Sequence, residues 1–249
     1  MPKSLNPVVV IPARMASTRL PGKPLAEIDG LPMIVQVWKR ATEAEVGPVI
    51  VAVAEKEVAA AVEAAGGIAI MTEADLPSGS DRVFQAVEIF DPDGKYDAII
   101  NLQGDLPALD PAAICDAADA LSQTDADIAT LVAEIKDPEE LQDDAAVKAV
   151  VSLANGATYG PALWFSRLQT PWGDGPHYHH IGIYAYRRSA LEQFVALPPS
   201  PLEKREKLEQ LRALEAGMKI SAALVDTVPL GVDTPEDLRR IRELFDASK

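Results

Sequence analysis

The sequence predicts an α/β protein with a doubly wound, mostly parallel sheet. In the first half of the chain, short apolar runs alternate with segments of helical periodicity, which is the pattern of parallel strands joined by crossover helices. The length of 249 residues fits a single domain over 1–249. Within it we expect an inserted, partly antiparallel sub-domain at about 135–195, where strand-like runs are separated by loops rich in Gly and Pro.

Apolar runs of four or five residues mark the strands of the first half. They are Val8–Ile11, Val49–Val53, Ile68–Met71 and Ala98–Leu102. Amphipathic spacing predicts helices near 33–41 and 58–65, which would cover the faces of the sheet. Because right-handed crossovers bring every strand-to-helix loop to the carboxyl edge of a parallel sheet, we expect ligands to bind at that edge.

The second half of the chain predicts strands at 147–153, 162–165 and 180–186, a helix over Leu202–Ala216 and a strand over Ile220–Val225. A last helix begins at Thr234. Thr-Pro-Glu-Asp supplies an N-cap, a proline at the first helical position and two acids in the first turn.

Composition excludes several classes of function. With 23 basic and 38 acidic residues the net charge is −15, which argues against binding nucleic acid or anionic membranes. The one cysteine, Cys115, cannot form an internal disulfide. No apolar run approaches the roughly 20 residues of a membrane-spanning helix, and the run at 8–11 is too short for a signal peptide, so we expect a cytoplasmic protein.

A basic loop, residues 11–25, follows the first predicted strand. Residues 1–26 hold four cations and no acid, with Arg14, Arg19 and Lys23 in the loop itself. This local bias favours a polyphosphate ligand, with donors and close backbone approach supplied by Ser17, Thr18 and Gly22; a solvated basic loop is the alternative. The loop matches neither G-x-x-x-x-G-K-[ST] nor G-x-G-x-x-G, so neither a Walker-type NTPase nor a typical dinucleotide enzyme is indicated.

Two aspartates, Asp105 and Asp233, each follow an apolar strand candidate at the edge where the basic loop emerges. Mg²⁺ is usually held by one or two carboxylates together with phosphate and water oxygens, and nucleotidyl transfer needs such an ion. On the residues alone a plainer interpretation stays open: Asp105 in a turn before Pro107 and Asp233 in the cap of the last helix.

The strand at 180–186 has one apolar and one polar face. Alternation places His180, Gly182, Tyr184 and Tyr186 on the face that we expect to look into a cleft. His180 and Tyr184 would then lie about 13 Å apart, which suits a bound sugar acid better than one metal ion. Arg167, at the end of the preceding strand, is a natural partner for a sugar carboxylate, with a surface salt bridge as the alternative.

Several strings, in order along nearly the whole chain, resemble the 3-deoxy-manno-octulosonate (Kdo) cytidylyltransferase family. They are Ile11–Leu25, Ser78-Gly-Ser-Asp-Arg82, Asn101-Leu-Gln-Gly-Asp105, Phe165-Ser-Arg167, His180-Ile-Gly-Ile-Tyr184, Leu208-Glu-Gln-Leu-Arg212 and Gly231-Val-Asp-Thr-Pro-Glu-Asp-Leu238. The resemblance implies a Rossmann-like nucleotidyltransferase fold, Mg²⁺-dependent transfer of CMP from CTP to Kdo for lipopolysaccharide biosynthesis, and a homodimer formed through the insertion.

The resemblance also assigns roles residue by residue. It implies that nucleotide is bound by Pro12, Ala13, Arg14, Ser17, Thr18, Arg19, Gly22, Lys23, Ser80, Arg82 and Gln103. It assigns Mg²⁺ to Asp105 and Asp233, catalysis to these two with Arg14 and Lys23, and the sugar acid to Arg167, His180, Tyr184, Glu209 and Gln210. From helical spacing alone, Glu209 and Gln210 would be ordinary surface residues on the flanks of a helix.

Three features depart from the family pattern. Leu106 stands where a glutamate is usual, Ala54 replaces an aspartate, and the loop 170–178 is short. They leave two alternatives open: a cytidylyltransferase for a related sugar acid, such as an amino-substituted Kdo or an acylneuraminate, and a CTP-binding regulatory protein without catalysis.

Overall fold

A computed structural model describes residues 5–16 and 19–247 of the chain. The chain divides into two compact units, which we call the N-terminal unit, residues 6–115 and 229–249, and the central unit, residues 1–5 and 116–228. The central unit is larger than the insertion predicted at 135–195 and contains it. Within the described residues, no helix has both the length and the apolar character required to span a bilayer.

Eleven strands are found in the described residues. They are β1 (Pro7–Ala13), β2 (Glu27–Ile28), β3 (Leu31–Pro32), β4 (Val49–Val53), β5 (Ile68–Met71), β6 (Ala98–Asn101), β7 (Ile128–Glu134), β8 (Lys148–Val151), β9 (Tyr159–Ser166), β10 (Tyr178–Arg187) and β11 (Ile220–Val225).

Nine α-helices accompany these strands in the same described ranges. They are α1 (Met33–Glu43), α2 (Lys56–Ala64), α3 (Gly79–Phe90), α4 (Pro111–Gln123), α5 (Pro138–Gln142), α6 (Arg188–Ala196), α7 (Pro201–Glu206), α8 (Leu211–Glu215) and α9 (Pro235–Ala247). A single 3₁₀ turn, Lys23–Leu25, lies between β1 and β2.

The N-terminal unit contains four parallel strands in the order β5-β4-β1-β6. Their side chains supply much of the core: every residue of β4 and β6 is buried, as are Val8–Ile11 of β1. All four predicted strands of the first half and the helices predicted near 33–41 and 58–65 are therefore confirmed, with shifts of a few residues at their ends.

The central unit holds a mixed sheet. β7 pairs in parallel with β11 and antiparallel with β10, and β9 lies antiparallel between β11 and β8. β8 also pairs with β10. The strands predicted at 147–153, 162–165 and 180–186 correspond to β8, β9 and β10, whereas β7 is a strand that the sequence analysis did not identify.

The helix predicted over Leu202–Ala216 is wrong as a single element. α7 ends at Glu206, and the C-cap residue Lys207 has a backbone in the left-handed conformation with φ of 57°. α8 begins only at Leu211. Residues other than glycine rarely adopt that conformation. Lys207 adopts it here, and the chain turns at this position. This break places Glu209 and Gln210 in the connection between the two helices and not on a helix flank.

The predicted start of the last helix is confirmed. The Thr234 hydroxyl accepts a hydrogen bond from the Asp237 amide, and the Asp237 carboxylate accepts from the Asp233 and Thr234 amides and from the Thr234 hydroxyl. Burial works against the carboxylate form of Asp237, but these bonds outweigh it and lower the pKa of that carboxyl. The cap thus fixes the backbone that carries Asp233.

Candidate active site

A cavity of about 430 Å³ lies in the N-terminal unit at the carboxyl ends of its parallel strands. Its lining comes from the loop after β1, the start of α3 and the segment after β6. The lining residues are Pro12, Ala13, Arg14, Ala16, Arg19, Lys23, Pro24, Ser78, Gly79, Arg82, Gln103, Gly104 and Asp105. The edge of the sheet expected to bind ligands is therefore the edge that carries this cavity.

The basic loop leaves β1 at Ala13 and ends in the 3₁₀ turn that begins at Lys23. Gly22, just before the turn, has φ of 70°, a backbone conformation that glycine adopts without strain. The loop brings Arg14, Arg19 and Lys23, the three cations predicted to bind phosphate, to the cavity. Ser17 and Thr18, also predicted to bind nucleotide, lie outside the described residues.

Lys23 lies between the two predicted metal ligands. Its ammonium nitrogen donates to Asp105 Oδ2 at 2.7 Å and to Asp233 Oδ1 at 2.9 Å. Burial alone would lower the pKa of Lys23, but the two carboxylates outweigh burial and raise it above its ordinary value. The other oxygen of Asp233 pairs with Arg19 at 2.9 Å. Two cations and two carboxylates therefore form one cluster beside the cavity.

The aspartates of this cluster come together although 128 positions separate them in the sequence. The Val232 amide donates to the Asp105 carbonyl at 3.0 Å, which joins the segment after β6 to the segment before α9. Val232 itself is buried with Leu20, Met33 and Leu238 in a hydrophobic cluster. Apolar packing and one backbone hydrogen bond thus hold the two carboxylates in place.

The donor set fits a magnesium ion. Two aspartate oxygens share one ammonium group and so lie less than about 6 Å apart, and Mg²⁺ is usually bound by one or two carboxylates supplemented by phosphate and water oxygens. Within residues 5–16 and 19–247, no group of three or more His, Cys, Asp or Glu side chains is placed to hold a metal. Any ion here would therefore need oxygens from the substrate.

The rest of the cavity lining comes from the start of α3 and from the segment after β6. Ser78 caps α3, its hydroxyl accepting from the Asp81 amide, and Ser80 is buried in the first turn. Gly104 packs so closely that a Cβ atom there would lie 2.9 Å from the Pro12 carbonyl oxygen. Gln103 beside it also lines the cavity.

Arg82, predicted to bind nucleotide, is almost fully buried under the cavity. Its guanidinium donates to the Thr72 hydroxyl and to the carbonyls of Glu73 and Ala74. Burial lowers the pKa of Arg82, the carboxylate of Glu55 opposes that change, and the charge of Arg14 adds to it. Arg82 therefore supports the loop after β5 while part of its side chain reaches the cavity.

In the central unit, His180 is buried instead of facing a cleft, which corrects the expectation from alternation. It is 8% exposed, with Phe165 edge-on at 4.9 Å between ring centroids. Its Nε2 lies 3.0 Å from the Thr130 hydroxyl oxygen, which in turn lies within 3.1 Å of the carbonyls of Ile181 and Ile183. Because a carbonyl only accepts, the hydroxyl donates to one of them and we assign the proton of His180 to Nε2.

Tyr184 lies much closer to His180 than about 13 Å. Their ring centroids are 5.5 Å apart, because β10 bulges between Ile181 and Tyr184: these residues are three positions apart, but their partners on β7, Leu131 and Thr130, are adjacent. A bulge of this kind shortens the distance along the strand. Burial, first, and then Tyr186 and Glu209 raise the pKa of Tyr184.

Tyr186 was also expected on the cleft face, and it too is buried. Its ring lies 5.9 Å from that of Phe194 on α6, centroid to centroid, and 5.8 Å from that of Tyr184. The apolar side of β10, formed by Ile181, Ile183 and Ala185, is buried as predicted. β10 is therefore covered on both faces along most of its length.

Arg167 follows β9, as predicted, but its guanidinium is engaged by backbone oxygens. Nε donates to the Glu206 carbonyl at 3.0 Å and Nη1 to the Asp144 carbonyl at 2.9 Å. The Arg167 carbonyl accepts from the ammonium of Lys148, a fully buried side chain. The assignment of Arg167 to a sugar carboxylate stays a prediction.

Of the residues predicted to bind the sugar acid, Gln210 and Glu209 have surroundings in the structure that the sequence did not indicate. Gln210 is only 6% exposed, and its Nε2 has no hydrogen-bond partner among the described residues. Glu209 lies 3.7 Å from Arg212, which also forms a two-pronged ion pair with Glu203. A buried amide donor without a partner is costly, so Gln210 is suited to a ligand hydroxyl.

Two contributors to these sites were not identified from the sequence. Thr130, the partner of His180, lies on the strand β7 that was not predicted, although the run Ile128–Val132 is a signal that could have found it. Glu55 accepts a hydrogen bond from the Met15 amide in the basic loop, a contact between residues 40 positions apart that no local pattern indicates.

Leu106, which stands where the family usually has a glutamate, is a buried packing residue. Leu106 is 8% exposed, and a Cβ atom at Gly231 would lie 3.8 Å from its side chain. The apolar residue therefore packs between the segments that carry Asp105 and Asp233, next to the backbone bond that joins them.

Comparison with known proteins identifies the family. Residues 8–220 match the cytidylyltransferase family model. The chain is 65% identical over 240 residues to a 3-deoxy-manno-octulosonate cytidylyltransferase of Rhodospirillum rubrum, covering 96% of this chain and 95% of the relative. It is also 65% identical over 237 residues to the Parvibaculum lavamentivorans protein of that name, covering 95% and 92%.

Solved structures agree. A CMP:2-keto-3-deoxy-manno-octonic acid synthetase complexed with CTP matches with a TM-score of 0.90 and 39% identity, covering 98% of this chain and all of the other. A nucleotidyl transferase from Methanothermobacter thermautotrophicus matches with a TM-score of 0.67 and 17% identity, covering 98% of this chain and 99% of the other. This likeness shows the fold alone. The chain has the α/β nucleotidyltransferase fold and belongs to the 3-deoxy-manno-octulosonate cytidylyltransferases within the cytidylyltransferase family.

Proposed function

We propose that this protein transfers CMP from CTP to the anomeric hydroxyl of Kdo, giving CMP-Kdo and pyrophosphate for lipopolysaccharide biosynthesis. The observation that carries the proposal is the cluster of Lys23, Arg19, Asp105 and Asp233 beside a cavity at the carboxyl edge of a parallel sheet. It joins cations for a triphosphate with carboxylates for a divalent ion. Because CTP is a cytoplasmic metabolite, we place the reaction in the cytoplasm.

The chain's own residues perform the transfer by positioning and by neutralising charge. Arg14, Arg19 and Lys23 hold the triphosphate and stabilise the negative charge that moves to the departing pyrophosphate. Arg82 and Gln103, which line the cavity, form part of the wall against which the nucleoside is held. Ser80 is buried in the first turn of α3 and is not among the lining residues, so its role in binding nucleotide is assigned by the resemblance alone. The attack of the sugar oxygen on the α-phosphorus is direct, and no side chain forms a covalent intermediate.

Asp105 and Asp233 would hold Mg²⁺, which supplies charge neutralisation and orients the phosphate oxygens. In the described chain their carboxylates are balanced by Lys23 and Arg19. This pairing keeps two acids close together without repulsion before substrate arrives. Lys23 can then turn from a carboxylate to a phosphate oxygen, since both are anionic acceptors.

The sugar acid is assigned to the central unit. Gln210 supplies a buried amide donor that has no partner among the described residues, and the Glu209 carboxylate lies close enough to Tyr184 to contribute to the raised pKa of its hydroxyl. His180 is buried as a neutral imidazole and its Nε2 is engaged by Thr130, so we assign it to orienting Tyr184 and contacting the sugar through its remaining edge. Arg167 would bind the sugar carboxylate after releasing a backbone carbonyl.

We also propose that the parallel sheet of the N-terminal unit is doubly wound and that the region 135–195 is an insertion that forms a homodimer. Support for the dimer comes from β9, where Tyr159, Pro161 and Leu163 are exposed in alternation with buried residues. Leu168 and Trp172 nearby in sequence are exposed as well. Contiguous exposed apolar side chains of this kind are typical of surfaces that another subunit covers.

The first experiment is pyrophosphate release with Mg²⁺ and each of CTP, UTP, ATP and GTP, with and without Kdo. Release that requires both CTP and Kdo is the expected result. If CTP binds but pyrophosphate is released only with an amino-substituted Kdo or an acylneuraminate, that sugar acid and not Kdo is the substrate. Binding with no release for any sugar acid would favour the regulatory alternative.

The metal assignment is tested by Asp105→Asn, with Asp226→Asn, an exposed carboxylate of the central unit, as the matched control. Loss of a metal-ligating carboxylate should lower kcat by at least about a hundredfold, whereas Asp226→Asn should retain wild-type turnover. Near-normal turnover of Asp105→Asn at saturating Mg²⁺ would reject the role of Asp105.

A further inference from the structure

Glu55 is a half-buried residue whose carboxylate contacts the basic loop, and neither the resemblance nor the proposed mechanism gives it a role. Its Oε1 accepts a hydrogen bond from the Met15 backbone amide at 3.0 Å. Met15 is the second residue after β1 in the loop that carries the phosphate-binding cations, between Arg14 and Ala16, both of which line the cavity. The contact therefore acts on the backbone of the loop directly.

Sheet register explains why these two residues meet. β1 and β4 are parallel neighbours, with Ala13 opposite Val53 at their carboxyl ends. Met15 and Glu55 are each two residues beyond this pair, so the two chains leave the sheet side by side. Glu55 occupies the N-cap position of α2, but its side chain makes no cap hydrogen bond. Its carboxylate is instead committed to the neighbouring loop.

The two ends of the loop also approach each other at Met15. A Cβ atom built on Gly22 would lie 3.7 Å from the Met15 side chain, so the start of the loop adjoins the residue that precedes Lys23. A hydrogen bond to the Met15 amide thus restrains the part of the loop that carries Arg14 and, through the contact with Gly22, the part that leads to Lys23. The rest of the loop has no strand or helix before Lys23 among the described residues.

The second oxygen of Glu55 is buried and has no hydrogen-bond partner in the described part of the chain. Burying such an acceptor is unfavourable, so the position retains a carboxylate at a cost to the fold. Its charge has a local use, because Arg14 and Arg82 repel each other and Glu55 favours the charged form of Arg82. The charge of Glu55 therefore acts on Arg82, whereas its hydrogen bond to Met15 acts on the loop.

We infer that Glu55 is a positioning residue for CTP: it anchors the basic loop through the Met15 amide and thereby holds Arg14 and Lys23 in place for the triphosphate. The inference deepens the proposed function and rests on it for the identity of the nucleotide. A residue with this role should affect nucleotide binding more than the chemical step, because it touches neither the substrate nor the metal.

The test compares Glu55→Ala, Glu55→Gln and Glu55→Asp with Glu57→Ala, an exposed glutamate in the first turn of the same helix. Hydrogen exchange of the Met15 amide measures the anchor, and steady-state kinetics with CTP and Kdo measure its effect on binding. Glutamine keeps a carbonyl oxygen within reach of Met15, whereas aspartate keeps the charge but is one methylene too short.

For Glu55→Ala we expect exchange of the Met15 amide to accelerate at least about tenfold and KM for CTP to rise about tenfold, the effect of losing a hydrogen bond to a charged acceptor, with kcat within about twofold of wild type. Glu55→Asp should behave in the same way and provides the test if the alanine variant does not fold. Glu55→Gln should retain the slow exchange and most of the affinity, and Glu57→Ala should match wild type.

Unchanged Met15 exchange in both Glu55→Ala and Glu55→Asp would overturn the inference, and so would faster exchange with an unchanged KM for CTP. A loss of kcat at constant KM would also contradict it, since that pattern belongs to a residue acting in the chemical step. A wild-type enzyme that binds CTP but releases no pyrophosphate with Kdo would reject the proposed function, while the effect of Glu55 on Met15 exchange and CTP affinity would still support the anchor.

Discussion

Acidification should destabilise this protein through His180. The side chain is 8% exposed, and burial, first, and then the neighbouring His179 lower its pKa to about 3. In the unfolded chain a histidine has a pKa of about 6.5. Between pH 6.5 and about 3 the unfolded state binds a proton at this histidine and the folded state does not. Lowering the pH through this range therefore favours unfolding.

The size of the effect follows from the two pKa values. Each pH unit between them changes the free energy of unfolding by about 1.4 kcal/mol. At pH 5.0 the solution is about 1.5 units below the unfolded pKa and still well above the folded one, so His180 should remove about 2 kcal/mol of stability relative to pH 7.5. The folded state would be half protonated only at a pH near 3.

Urea unfolding of wild type and His180→Gln at pH 7.5 and 5.0 isolates this contribution. Groups that titrate in both proteins cancel in the difference, so wild type should lose about 2 kcal/mol more than the variant on acidification. A difference below about 0.5 kcal/mol would refute the reasoning, because it would mean that the imidazole takes up its proton in the folded state. An NMR titration of the His180 ring should show no protonation down to pH 5.

Three further predictions concern stability. Phe165→Ala, which removes a fully buried ring, should lower the free energy of unfolding by about 3–5 kcal/mol in urea titrations. Gly104→Ala should cost about 1–3 kcal/mol and lower the melting temperature, because the new methyl group would lie 2.9 Å from the Pro12 carbonyl oxygen. Arg212→Met should cost about 3–5 kcal/mol at pH 7, where Glu203 is left charged and unpaired. Arg212 lowers the pKa of Glu203, so the cost should shrink as the pH falls below about 4; a cost independent of pH would show that the ion pair is not its source.

Local pattern was sufficient for most of the fold. Strands such as Val49–Val53 are short, wholly apolar runs that can only be buried, and the cap at Thr234 depends on neighbouring residues alone. Elements decided by long-range contacts were harder to predict. The break at Lys207 requires a left-handed residue that is not glycine, and the bulge in β10 arises from its register with β7, neither of which has a local sequence signature.

The sequence by itself determined which chemical groups this protein can use: a basic loop without acids, and two aspartates after apolar strands. Tertiary structure alone decided their arrangement. Lys23 lies between Asp105 and Asp233 because a backbone hydrogen bond from Val232 joins two distant segments, and Glu55 reaches Met15 because two parallel strands end side by side. The physical reason is that side-chain chemistry is local to each residue, whereas the distances between charges depend on the packing and register of segments far apart in the chain.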